Sequence, residues 1–275
     1  MSDQKELLTD TKVGIIGCGH LGQAVAQALI RGGLQKRNLL ISYRGKPQTY
    51  QRLEEQGLTC CLATNERVFV DADIVLLTVR PQDLSELRGI TVQEKTVTVS
   101  CLAGVPLELL RGIFGKRVFR MMLSGPDTIV SGKGVAALYP GNGQLAQLIE
   151  LMGAAHIKTE TEADIDIFTT GVCLTAAILK AGNHDEQRKA IARIKSEYPM
   201  LAELHSWALN ALPDFQSNAE KTAYIEKMIT KGGVTEAIIS SLGHGEALDD
   251  ALKKGIERTQ EISAEIRQSI AGAVK

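Results

Sequence analysis

The sequence predicts an α/β fold, with an N-terminal doubly wound parallel sheet over residues 1–161 and an all-helical region over residues 162–275. Three observations carry that reading. A short apolar strand, Val13 to Ile16, runs into Gly17-x-Gly19-x-x-Gly22 and then into an Ala-rich run at helical spacing from Leu21 to Ile30. Apolar, β-branched segments then alternate with polar helical ones, the pattern of a parallel sheet with crossover helices. From about Glu162 the tight turns stop and long helical patterns take over.

The order of strand, glycine turn and helix is the setting in which a dinucleotide pyrophosphate is held. Gly17 lets the chain turn out of the strand, and Gly19 presents no side chain to keep a phosphate away from the backbone. Gly22 allows the helix to lie close on the sheet, and the first N–H groups of that helix favour an anion. Gly17, Cys18, Gly19, His20, Leu21 and Gly22 are therefore expected to contact the cofactor, which makes this a Rossmann domain.

The following elements extend the sheet. Asn38 to Ser42 reads as a second strand, and its end separates the two nicotinamide dinucleotides. Domains that prefer NAD carry an acidic residue there for the ribose 2′-hydroxyl. This chain instead has Tyr43-Arg44-Gly45-Lys46, with no carboxylate from Asn38 to Tyr50. A guanidinium at Arg44, with Lys46 beside it, suits a 2′-phosphate, so the cofactor is read as NADP(H). A polar helix is expected over Gln48 to Gln56 and a short strand over Leu58 to Leu62. Further strands are read at Asp73 to Val79, Thr96 to Ser100, Arg117 to Met122 and Gly134 to Tyr139, then a helix from Gln144 to Met152. In such sheets ligands lie outside the carboxyl ends of the strands. That rule groups the glycine turn with Val79-Arg80-Pro81, with Cys101, Ala103 and Gly104, and with Leu123 to Pro126. The second region is read as helices over Asp164 to Ala181, Arg188 to Leu212, Asn218 to Ile229, Thr235 to Leu242 and Glu246 to Ile270. Its surplus of apolar positions suggests burial between two copies of the chain.

Composition narrows the partners. The formal net charge of −1 gives no footprint for nucleic acid or an anionic membrane. No apolar run approaches the ~20 residues of a membrane span, and the polar, acidic MSDQKELLTD is unlike a secretory signal. The five cysteines show no C-x-x-C spacing, so neither a metal site nor a disulfide framework is indicated, and Cys60-Cys61 reads as a strand pair on opposite faces. A cytoplasmic protein acting on a small molecule is expected.

The chain resembles the pyrroline-5-carboxylate reductase family nearly end to end. The likeness rests on IIGCGHLGQAVAQAL, LLISYR, LLTVRPQDL, SCLAG and the arginine of FRMMLSGP. Near the C-terminus TKGGVTEAI resembles the family's Gly-Gly-x-Thr turn at a helix start. The resemblance implies reduction of a cyclic imine to an amine with NAD(P)H. It also implies that Gly232, Gly233, Val234 and Thr235 hold a substrate carboxylate. Two stretches depart from the family. Its Met-Pro-Asn-Thr-Pro becomes Met122-Leu123-Ser124-Gly125-Pro126, and its Ser-Gly-Ser-Gly-Pro-Ala-Tyr becomes Thr170 to Ala176, which keeps only Gly171. The hydroxyls left to protonate a product nitrogen are those of Ser124, Thr170 and Thr235, or water.

The other polar residues carry less. His20 faces either the cofactor or solvent, Cys101 reads as a small buried hydrophobe, His205 and Trp207 as packing residues, and His244 as a loop residue. Glu160, Glu162, Asp164 and Asp166 are spaced two apart and read as the acidic approach to a helix. Two other functions stay open. A β-hydroxyacid-dehydrogenase-like enzyme needs a catalytic lysine, for which Lys180 is the candidate. A cofactor-binding regulator without turnover fits the replaced substrate motifs.

Overall fold

The computed structural model describes residues 10–272, so the polar N-terminal stretch before Asp10 lies outside the described residues. The described residues form two compact units. One holds residues up to Glu162 together with those from Ile266 onward, and the other is Ala163–Glu265.

The first unit is a seven-stranded sheet in the order β2-β1-β3-β4-β5-β6-β7. Its strands are β1 (Val13–Ile16), β2 (Leu39–Ser42), β3 (Ile74–Leu77), β4 (Val97–Ser100), β5 (Val118–Leu123), β6 (Val135–Tyr139) and β7 (Ala155–Ile157). Helices α1 (His20–Gly32), α2 (Pro47–Glu55), α3 (Asn65–Asp71), α4 (Leu107–Phe114), α5 (Pro126–Val130) and α6 (Gly143–Leu151) connect or follow them. β1 pairs in parallel with β2 on one side and β3 on the other, so the strand order reverses there. Alternate residues feed two cores. Val13, Ile15, Ile74 and Leu76 join α1 and α6, with Leu29 and Leu148 fully buried. Ile16, Val75 and Leu77 join α3 and α4, with Phe69 and Leu110 fully buried. A parallel strand covered on both faces needs such a continuous apolar run, each large side chain contributing about 1.5–3 kcal/mol.

The structure corrects several expectations. Leu58 to Leu62 is not a strand but a 3-10 turn over Thr59–Cys61, with only Leu62 bridging in parallel to Ile41. The spacing explains it: Leu58 and Cys61 are both buried, three apart, which is the 3-10 repeat. Cys60 and Cys61 thus sit on a turn, the first exposed and the second buried. β6 runs antiparallel to β5, because residues 124–134 are too few for a crossover of a dozen or more residues back to a parallel strand. α3, α4, α5 and β7 have no counterpart among the expected elements.

The second unit is helical: α7 (Ala163–Gly171), α8 (Leu174–Ala181), α9 (His184–Ile194), α10 (Pro199–Ala211), α11 (Asn218–Met228), α12 (Val234–Gly243) and most of α13 (Leu248–Gly272). The expected helix from Asp164 to Ala181 breaks at Val172-Cys173, where the Cys173 N–H donates back to the Thr170 carbonyl at 3.1 Å and tightens the turn. The expected Arg188 to Leu212 helix breaks before Pro199, which lacks the N–H a continuing helix needs and starts α10 instead. Asp164 and Asp166 lie in the first turn of α7, where carboxylates complement the helix dipole. Glu162 does something else. Its Oε1 accepts from Arg120 Nη1 at 2.9 Å and from the Leu107 N–H at 2.7 Å, so it pairs a buried arginine of β5 and caps α4.

Candidate functional site

The glycine turn is built by three constraints. Gly17 has a φ of +88°, and a side chain there would strike Val79 Cγ1 at 2.5 Å and Val79 N at 2.8 Å. At Gly22 a side chain would meet Thr78 Oγ1 at 2.8 Å, and that hydroxyl donates to the carbonyl of Gly17 at 2.9 Å or of Ile16 at 3.2 Å. Gly17 and Gly22 are thus dictated by the protein's own packing. Gly19 is different. A Cβ there would find only the Gly17 carbonyl, 3.9 Å away, and the residue is exposed at a φ of −76°. Nothing within the described residues requires a glycine at this position, so the open space suits a ligand brought against the backbone.

The backbone accounting points the same way. The N–H groups of Gly17 and Cys18 donate to the Ser42 carbonyl at 3.2 and 2.9 Å, tying the turn to the end of β2. The Gly19 N–H donates to the Gly17 carbonyl at 2.7 Å. The first bond of α1 runs from the Gln23 N–H to the Gly19 carbonyl at 3.0 Å. His20, Leu21 and Gly22 are therefore the residues whose N–H groups open the helix without an intrahelical acceptor. Three outward N–H groups, positive helix end and missing side chain fit a pyrophosphate.

The neighbouring expected residues fall around this turn. β1, β3, β4 and β5 are parallel, so the loops after their carboxyl ends lie on one side of the sheet. Val79 packs under Gly17, Arg80 is exposed, and Pro81 opens a 3-10 turn over Pro81–Leu87. The Cys101 N–H donates to the Leu77 carbonyl at 2.9 Å, with Ala103 half-buried and Gly104 buried beyond it. Burial pushes the Cys101 thiol up to about 12, which makes it a small neutral core group. His20 is exposed, its ring beside the guanidinium of Arg52 on α2. Tyr43 is half-buried with its ring 6.4 Å from that of Tyr50, and Lys46 is exposed.

Arg44 brings a feature that sequence spacing did not show. Its Nη2 contacts Asp83 Oδ1 and Glu86 Oε2, both at 2.8 Å. No carboxylate lies from Asn38 to Tyr50, yet two reach the end of β2 from the 3-10 turn after β3. Their hydrogen bonds, Asp83 first, hold the guanidinium above its ordinary value.

The three hydroxyls considered for proton donation separate clearly. Ser124 is 1% exposed, and its Oγ accepts from the Val135 N–H at 3.0 Å and lies 2.7 Å from Thr128 Oγ1. That hydroxyl oxygen extends the β5–β6 ladder past its last backbone pair. Thr170 is fully buried in α7, its Cγ2 in the narrow space left by Gly255 of α13. Thr235 is half-buried, and its hydroxyl donates to Cys173 Sγ at 3.3 Å.

The turn at Lys231–Thr235 repeats the logic of the first. Gly232 has a φ of +72°, its N–H donates to Glu236 Oε2 at 2.6 Å, and the Gly233 N–H donates to the Thr230 carbonyl at 2.8 Å. The first bond of α12 runs from the Ala237 N–H to the Gly233 carbonyl at 3.2 Å, which leaves Val234, Thr235 and Glu236 as the helix-opening N–H groups. The amides of Gly232 and Gly233, expected to meet a substrate, are used internally. Lys180 is exposed near the end of α8. Among the described residues no cluster of His, Cys, Asp or Glu is placed to hold a metal ion.

Sheet order and glycine turn together define a dinucleotide-binding fold. Residues 12–104 match the family model described as NADP oxidoreductase coenzyme F420-dependent. Over 275 aligned residues the chain is 25% identical to pyrroline-5-carboxylate reductase 2 of Bacillus subtilis, covering 95% of this chain and 97% of that one. Solved structures of a Plasmodium falciparum pyrroline carboxylate reductase with NADP bound and of a Coxiella burnetii pyrroline-5-carboxylate reductase share the fold. Their TM-scores are 0.59 and 0.56 at 16% and 20% identity, each covering 93% of this chain and 99% of its own. Along nearly its whole length the chain is thus similar to pyrroline-5-carboxylate reductases.

Proposed function

We propose that the chain is an NADPH-dependent reductase of the C=N bond in a small carboxylated imine, pyrroline-5-carboxylate or a close analogue. The observation that carries this reading is Gly19, a glycine that the protein's own packing does not require, at the phosphate position of a turn whose relatives reduce pyrroline-5-carboxylate. The N–H groups of His20, Leu21 and Gly22 face the pyrophosphate, and Arg44 and Lys46 face the 2′-phosphate. Val79, Arg80 and Pro81, with Cys101, Ala103 and Gly104, line the loops beyond, on the way to the nicotinamide. When bound, NADPH supplies the hydride. Thr235 and the first turn of α12 hold the substrate carboxylate, with Lys231 adding positive charge, and the product nitrogen takes its proton from water. Residues up to Glu162 serve as the cofactor domain, and the helical unit as the substrate and dimerisation domain of a cytoplasmic homodimer. The dimer reading is supported by α11, an 11-residue helix with no buried residue. No helix among the described residues is long and apolar enough to cross a membrane.

The test is NADPH oxidation against a panel of cyclic imines and keto acids, carboxylated and not. Turnover with carboxylated imines is expected, and Thr235→Ala should raise KM about tenfold while NADPH affinity stays within twofold, the pattern of a lost substrate contact. Turnover restricted to uncarboxylated imines defeats the placement of the carboxylate, and none with any imine defeats the reaction.

A further inference from the structure

We infer that Asp83 and Glu86 are specificity-determining residues that compete with the cofactor's 2′-phosphate for Arg44, holding down the chain's preference for NADPH over NADH. The inference rests on the proposed NADPH site and adds to it the carboxylates that oppose the phosphate.

Both carboxylates reach one nitrogen, Arg44 Nη2, at 2.8 Å, from the turn Pro81–Leu87. Two carboxylates thus offset the single guanidinium they share. A phosphate dianion arriving there meets a weakened attraction while the pairs persist, and it must either displace a carboxylate from Nη2 or share the guanidinium with two anions at close range. The carboxylates are not equally placed. The side chain of Asp83 is 19% exposed and that of Glu86 is 64% exposed, so Asp83 is the firmer competitor and Glu86 the more readily displaced. NADH carries a hydroxyl at the same position, which costs nothing beside Asp83 and can donate to it. The same two residues therefore penalise one dinucleotide and tolerate the other. A guanidinium at the end of β2 is ordinarily the mark of NADP. Here its partners restore the acidic character that the end of the strand itself lacks.

The experiment is equilibrium binding of NADPH and NADH to the full-length protein by nicotinamide fluorescence, in wild type, Asp83→Asn, Glu86→Gln and the double variant. The double variant should bind NADPH about three- to tenfold more tightly, as fits removal of partly exposed ion-pair competitors. NADH affinity should stay within about twofold, and Asp83→Asn should account for more of the gain than Glu86→Gln. The gain should shrink as salt rises from about 0.05 to 0.5 M, because screening weakens the charges that cause it. In an Arg44→Ala background the same substitutions should give a smaller gain, since the guanidinium competed for is gone and only the carboxylates' direct repulsion of the phosphate remains. Glu86→Gln, at an exposed position, keeps a measurable arm if Asp83→Asn lowers stability. Unchanged or weaker NADPH binding in the double variant overturns the inference, the weaker case showing that the carboxylates position Arg44 for phosphate. An equal gain for both dinucleotides overturns it as well. Wild-type protein that binds neither dinucleotide overturns the cofactor site and this inference with it, whereas wild-type binding with no gain in the variants overturns the inference alone.

Discussion

At the scale of single residues, the glycines of the first turn separate by what forbids a side chain. Gly17 and Gly22 are blocked by Val79 and by Thr78 and the Gly17 carbonyl, so Gly17→Ala or Gly22→Ala should disturb the turn itself. Gly19 is blocked by nothing within 3.9 Å. Gly19→Val should therefore keep the fold, with a melting temperature within a few degrees of wild type, while NADPH affinity drops by at least about a hundredfold. A branched side chain there fills the space the pyrophosphate needs. Undiminished binding by folded Gly19→Val protein places the dinucleotide elsewhere. Arg44 offers the companion reading: Arg44→Ala should remove most of any preference for NADPH over NADH. The contact replaced is charge-assisted and worth about 1.5–3 kcal/mol against bulk solvent, less with Asp83 and Glu86 already on the same nitrogen. Equal affinities in wild-type protein contradict it. The turn is legible in the sequence because strand, glycines and helix follow one another within ten residues, although the atoms that exclude side chains at Gly17 and Gly22 belong to Val79 and Thr78. The partners of Arg44 were not legible, because Asp83 and Glu86 are about forty residues away and meet it only after β1, β2 and β3 pair.

Elements show the same division between local and non-local causes. β1 to β6 were readable because a strand covered on both faces must be almost wholly apolar. β7 was not, being three residues long with Ala155 and His156 exposed. The breaks in the helical unit depend on one backbone bond at Cys173 and on Pro199, which periodicity alone passes over. Glu162 shows how an element can be held by one side chain from outside it. Arg120 is 2% exposed in β5, and losing Glu162 leaves a buried guanidinium without this partner and the first N–H of α4 without its cap. Arg120→Ala should cost about 3 kcal/mol, the low end for breaking a buried pair because Glu162 is 33% exposed, and Glu162→Gln should cost less, since an amide oxygen still accepts. Urea denaturation checks this, and a change below about 1 kcal/mol for Arg120→Ala contradicts the pairing. At the start of α13 the Arg193 guanidinium, hydrogen-bonded to Asp249 through Nε at 2.7 Å and Nη2 at 2.6 Å, holds the Asp249 carboxyl below the usual carboxylate range. A depressed carboxylate contributes stability above its unfolded value and loses it as pH falls through the folded one. Stability should therefore drop below about pH 4, and Asp249→Asn should flatten that acid limb while lowering stability at pH 7. An acid limb unchanged in Asp249→Asn contradicts the assignment.

For the whole molecule, the unresolved demand is the helical unit's own surface. α11 carries 11 residues with none buried, although Tyr224, Ile225 and Met228 present apolar area along it. A helix of that length is marginal in water on propensity alone, and most helical stability comes from packing an apolar face. The Ser217 hydroxyl caps its start by accepting from the Glu220 N–H at 3.2 Å, Phe215 meets Tyr224 edge-on at 5.4 Å, and the helix lies against α8, which leaves Tyr224, Ile225 and Met228 half-buried. A second copy of the chain would cover it, which agrees with the surplus of apolar positions read from the sequence. Light scattering at micromolar concentration should then give about twice the chain mass of 29.7 kDa, across an interface of more than ~2,000 Å². Ile225→Glu should shift the protein toward the single-chain mass, because a charge would be buried without a partner at the centre of the contact. If wild-type protein holds a mass near 29.7 kDa at that concentration, the homodimer is excluded. If it is a dimer that Ile225→Glu leaves intact, the interface lies on helices other than α11.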